Sequence, residues 1–105
     1  MQGIIEDLEL SLMKLQRIRN YIDSDQWADY KDERDIFNII ITINVFVNDH
    51  VTLSVQYIMN LSNKSRHKVN KVMDYLEQKG FVELVSRRPK SYKISEDCLE
   101  EILPS

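Results

Sequence analysis

Residues 51–95 constrain the fold more than any other part of this 105-residue chain. They hold two short helical patterns separated by a polar break, followed at once by two β-type runs joined through a basic turn. The spacing predicts a helix over residues 53–61, with Val55, Ile58, Met59 and Leu61 facing inward and Thr52 or Ser54 able to start it. Residues 62–65 are polar and break the pattern. A second helix is predicted over residues 66–79, stopping at Gly80, where the missing Cβ tolerates the left-handed helix-ending conformation. Residues 81–86 and 91–95 read as strands joined by Arg87-Arg88-Pro89-Lys90.

Helix, turn, helix and cationic hairpin give the outline of a winged helix-turn-helix. The stretch resembles that superfamily, especially its small MarR-like regulators. The most specific part is V-N-K-V-M-D-Y-L-E-Q-K-G-F-V over residues 69–82. The apolar rhythm, the ending Leu76-Glu77-x-x-Gly80 and the direct passage into Phe81 and Val82 are similar to the family's recognition helix and first wing strand. The resemblance implies a mainly α fold with a small β-wing (α+β), to which the apolar periodicity of residues 4–22 adds an extra N-terminal helix. It also implies Ser65 as the N-cap of the recognition helix, with Ser62 the alternative. Two departures stand out. The turn at residues 60–64 is about one residue long against the pattern, and the long C-terminal dimerisation helices of full MarR proteins are absent.

The net charge of −3 at first disfavours a nucleic-acid partner, but its distribution reverses that. Residues 1–59 carry −5, residues 60–93 carry +6 and residues 94–105 carry −4. Positive charge is confined to the expected recognition helix and wing, where phosphate binding needs it. On the second helix, Val69, Val72, Met73 and Leu76 form the buried face. At ~100° per residue the opposite face is His67, Lys71, Asp74 and Gln78. The N-terminal part of such a helix meets base edges. Asn reads adenine and Lys reads guanine by paired hydrogen bonds. The expected DNA-binding residues are therefore Lys64, Ser65, Arg66, His67, Lys68, Asn70 and Lys71 on the helix and its approach, with Arg87, Arg88, Lys90 and Lys93 on the wing. Asp74 would repel phosphate unless it lies far along the helix or accepts from a cytosine amino group.

Upstream, Ile4, Ile5, Leu8, Leu12, Leu15, Ile18 and Ile22 recur at three and four residues, one apolar helical stripe. Residues 1–35 are read as an N-terminal helix and connector, either packed on its own domain or serving as a dimerisation arm. The arm is the reading adopted, because a winged core needs no such helix and the MarR-like proteins it resembles dimerise through their extra helices. Residues 36–105 are read as the DNA-binding domain. In the charged connector, Ser24 or Asp25 could cap a following helix, and Trp27 and Tyr30 could anchor it to the core. Residues 36–48 are β-branched enough to suggest a strand. The family outline puts a helix there, and helix is the reading adopted. Residues 49–52 are expected to supply a short first strand, with His50 in a surface loop. Residues 96–103 read as a terminal helix with Cys98, Leu99, Ile102 and Leu103 inward.

No catalytic constellation, phosphate-cradling glycine loop or metal-ligand spacing is present, so no enzyme activity, cofactor or metal is expected. One cysteine cannot form an internal disulfide, which suits a reducing cytoplasm. The N-terminus lacks a signal-peptide pattern, and residues 36–47 are too short to span a membrane. The leading reading is a homodimeric, sequence-specific double-stranded DNA-binding regulator of transcription. The alternatives are a plasmid or phage partition adaptor coating a repeat array, and a winged-helix module that binds only protein.

Overall fold

The computed structural model describes residues 2–47 and 51–104. The chain runs α1 (Gln2–Ile22), a single 3-10 turn (Asp25–Trp27), α2 (Lys31–Phe46), β1 (Leu53–Ser54), α3 (Val55–Ser62), α4 (Arg66–Gln78), β2 (Val82–Arg87), β3 (Lys90–Ile94) and α5 (Glu96–Ile102). The strands form one antiparallel sheet in the order β1-β3-β2. This is a winged helix, mostly helical with a small sheet, as the sequence led us to expect.

α2 is the centre of the core. Ile36, Phe37, Ile40 and Ile41 are fully or almost fully buried. Strand propensity spans only about 1 kcal/mol across residue types. Burying each of these side chains is worth about 1.5–3 kcal/mol. Packing therefore overrides the β-branched composition. The helix begins at Lys31, five residues before the apolar run, and takes in most of the charged connector. Asp32 and Glu33 lie in its first turn, where the helix dipole favours acids. Neither Ser24 nor Asp25 caps it. Ser24 donates its hydroxyl to the Tyr21 carbonyl at 2.6 Å and so closes α1. Tyr30 is the N-cap of α2 and makes no side-chain capping bond.

Trp27 anchors the connector. It is 2% exposed, stacks on Phe37 at 5.1 Å and lies 5.1 Å from Phe81 at the root of the wing. Tyr30 stays more exposed and stacks on Tyr75 of α4 at 5.1 Å. Of the apolar stripe on α1, only Ile18 and Ile22 join the core. Ile4, Ile5, Leu8, Leu12 and Leu15 are exposed.

The capping chemistry defines the helix-turn-helix. Ser54 accepts from the Tyr57 N–H at 3.1 Å and starts α3. Val55 and Ile58 of α3 are buried and Met59 is partly so. Leu61, expected to face inward, is exposed because it falls beside the turn. Asn63 ends α3 in the left-handed conformation (φ 57°), which asparagine tolerates better than most residues. Ser65 accepts from the Lys68 N–H at 3.2 Å and opens α4. Val69, Val72, Met73 and Leu76 are buried. Gly80, at φ 82°, lets the chain leave α4 while the Phe81 N–H donates to the Leu76 carbonyl at 2.9 Å.

The first strand lies later than expected. Leu53 pairs with Tyr92 and Ser54 with Ser91, so Val51 and Thr52 precede the strand. Asp49 and His50 lie outside the described residues. The wing strands start and end one residue from the expected positions. A bulge between Leu84 and Ser86 turns Val85 outward, leaving it exposed rather than packed. In α5, Cys98 and Ile102 are buried, and burial pushes the Cys98 thiol up to about 12.

Candidate nucleic-acid interface

The exposed face of α4 carries His67, Lys71, Asp74 and Gln78, with Asn70 half-buried at its edge. The wing tip carries Arg87 and Arg88, both exposed. One contact sets these two elements side by side: the Lys90 ammonium, at the root of the wing turn, lies 3.5 Å from an Asp74 carboxylate oxygen. The exposed face of α4 and the wing turn therefore border one continuous surface.

The expected cations divide into two groups. Lys64, in the turn between α3 and α4, is only 18% exposed and points at the start of α2. Its ammonium is 3.0 Å from Asp32 and 3.7 Å from Asp35. The hydrogen bond from Lys64 and a second from Lys68 hold the Asp32 carboxyl below its ordinary range, and the bond to Asp32 raises Lys64. Lys68 reaches the other Asp32 oxygen at 3.2 Å and remains half-exposed. Lys93 pairs with Glu83 across the wing at 3.7 Å, and Lys90 with Asp74 as above. These four lysines have much of their charge offset within the chain.

Arg66, Lys71, Arg87 and Arg88 have no acidic partner among the described residues. Arg66 donates to Gln56 Oε1 on α3 at 2.7 Å, a bond that fixes the guanidinium across the two helices. Ser65 is committed through its hydroxyl to the helix cap. The unpaired positive charge thus sits at the start of α4, on its exposed face and at the wing tip. The turn residues Arg87, Arg88 and Lys90 have no acid close to them in sequence, and among the described residues Arg87 and Arg88 indeed stay unpaired, whereas Lys90 is met by Asp74 from α4. Asp74 and Glu83 lie on the elements that Lys90 and Lys93 fold against.

Sequence reading missed Asp32 and Gln56 as parts of this surface. Asp32 is 32 residues from Lys64, and only the packing of α2 against the turn brings them together. Gln56 is an exposed polar residue with no distinguishing local pattern. It also donates to Asn60 at 3.0 Å, which holds its amide in place for Arg66.

Among the described residues no cluster of three or more His, Cys, Asp or Glu could hold a metal ion, and no helix is long and apolar enough to cross a membrane. No curated protein and no solved structure matches the chain. A protein-family model does match: residues 47–96 fit the family described as sugar-specific transcriptional regulator TrmB. That family consists of transcriptional regulators, not enzymes, and binds DNA through a winged helix. The matched segment runs from the end of α2 to the start of α5 and so takes in both helices and the whole wing. Within the superfamily expected from the sequence, the family model that matches is TrmB, and residues 47–96 of this chain are similar to the DNA-binding domain of those transcriptional regulators.

Proposed function

We propose that the chain is a homodimeric, sequence-specific regulator of transcription, with α1 as its dimerisation arm. Each protomer lays α4 in a major groove, with Arg66, His67, Asn70 and Lys71 towards the bases. Arg87 and Arg88 then meet the flanking backbone or minor groove, where narrow A·T tracts concentrate negative potential. The observation that carries the reading is the grouping of unpaired cations. Lys71, Arg87 and Arg88 lie on the surface bordered by α4 and the wing turn, while the nearby acids Asp74 and Glu83 are occupied by lysines. A module that bound only protein would have no need of that arrangement.

The test is selection of bound duplexes from a random pool by the purified full chain. A near-palindromic site, with half-sites one helical turn or a multiple apart, is the expected product. Asn70→Ala and Lys71→Ala should each lose about 1–3 kcal/mol of discrimination at particular base pairs. Equal weakening on selected and random DNA would restrict both residues to phosphate. Enrichment only of long repeat arrays would favour a partition adaptor, and no enrichment would favour the protein-binding module.

A further inference from the structure

We infer that the two α1 arms pair antiparallel, the acidic half of each lying in the partner's groove between α1 and α2. The inference rests on the homodimer proposed above and adds the orientation and the receiving surface.

Ile4, Ile5, Leu8, Leu12 and Leu15 are each 46–65% exposed. At ~100° per residue they fall on one side of the helix. No element of their own chain covers them, since only Ile18 and Ile22 reach the core. An amphipathic helix gains its stability from burying such a stripe. The stripe does not end on open surface. Leu12, Leu15 and Ile22 continue into a groove of about 590 Å³, whose far side is α2 with Arg34 and Asn38. A second helix laid on the stripe therefore enters this groove.

Charge selects the helix and its direction. Within α1, residues 2–10 carry Glu6, Asp7 and Glu9 and no base, whereas residues 14–19 carry Lys14, Arg17 and Arg19 and no acid. None of these six has an ion-pair partner in its own chain among the described residues. Two parallel arms would set acid beside acid and base beside base. Two antiparallel arms set each acidic half beside the partner's basic half, and they also oppose the two helix dipoles. The groove itself carries both signs, Arg19 and Arg34 beside Asp23 and Asp35, with Arg34 3.9 Å from Asp35, so the charge that orders the two arms is that along α1. A second copy of α1 thus supplies both the apolar stripe and the complementary charge.

The test uses the full chain carrying Gly3→Cys with a nitroxide label. A Cβ at Gly3 meets nothing within 4 Å, so the substitution leaves the arm intact. Cys98 is buried with its thiol raised to about 12, so the label goes to residue 3 alone. With the two-fold axis near Leu12, the labelled residues lie nine positions to either side. At 1.5 Å per residue they are about 27 Å apart along the helices. Parallel arms would hold them at the interhelical spacing of about 10 Å. The dimer dissociation constant, measured by ultracentrifugation, should also rise between 50 and 500 mM sodium chloride, because salt screens the acid–base attraction. A short distance, or a dimer that salt tightens, would overturn the antiparallel pairing while leaving a DNA-binding dimer in place. A chain that remains monomeric while binding its selected site would remove the dimer itself.

Discussion

The wing gives the sharpest quantitative test, because the structure separates cations of similar position by whether they are already paired. Consider Arg88→Ala beside Lys93→Ala. Arg88 is exposed and has no acidic partner among the described residues, whereas the Lys93 ammonium lies 3.7 Å from Glu83. Each phosphate contact releases condensed counterion, so log K falls with log salt by about 0.9 per contact. In the proposed dimer Arg88→Ala removes two such contacts, and the slope should become shallower by about 1.8. From 50 to 200 mM salt, a fourfold change, the variant should therefore lose about 12-fold less affinity than the wild type. Lys93→Ala leaves Glu83 uncompensated on the outer face of the wing, so it should lower affinity with a much smaller change in slope. The assay is fluorescence anisotropy on one selected duplex over a salt series. If both variants change the slope equally, pairing within the chain does not decide which wing cations meet DNA. If neither changes it, the wing is not at the interface.

Four further outcomes concern other parts of the molecule. Asp32→Asn removes the carboxylate that holds Lys64 and Lys68, so affinity for random DNA should rise and its salt dependence steepen, read in the same anisotropy assay. Because the Asp32 carboxyl is held below its ordinary value of 3.8, the stabilising tie it makes is present above that pH and is lost as pH falls further into the acid range; Asp32→Asn should flatten the melting profile there. Met73→Ala, at a side chain with no exposure, should cost about 2–5 kcal/mol in denaturant unfolding. With its thiol raised from 9.0 to about 12, Cys98 should alkylate about 1,000-fold more slowly in the native chain than in the unfolded one at neutral pH; equal rates would show that α5 does not stay docked.

Much of the fold was legible because its signals are local. Ser65, the apolar positions Val69, Val72, Met73 and Leu76, and Gly80 define α4 by capping and period alone. The hairpin follows from its two apolar runs and Pro89. What could not be read depends on partners distant in sequence. β1 exists only where Tyr92 and Ser91 offer a pairing edge, so its position slid from residues 49–52 to Leu53–Ser54. The start of α2 has no capping side chain to announce it. The interface shows the same division. Which residues lie on the exposed face of α4 follows from the helical period. Which cations are unpaired does not, because Lys64 and Lys68 are met by Asp32 from α2, and Lys90 by Asp74 only after the wing has folded back on α4. Counting charge along the chain gave the correct sign and region and overstated how much of it is unpaired.

In the proposed complex, the joint beneath the wing bears on which DNA sites fit. The Ser95 hydroxyl donates to the Gly80 carbonyl at 2.7 Å and accepts from the Cys98 N–H, while the Ser95 N–H donates to the Phe81 carbonyl at 3.0 Å. The end of α4, both legs of the hairpin and the start of α5 are thereby pinned at one point. In the proposed DNA complex, helix and wing would act as a two-pronged fork tied at its root. Such a fork tolerates an altered base under one prong at the cost of that contact alone. One base pair inserted between the two contacts should therefore cost more affinity in that complex, because the tie at the root resists the added rise and twist.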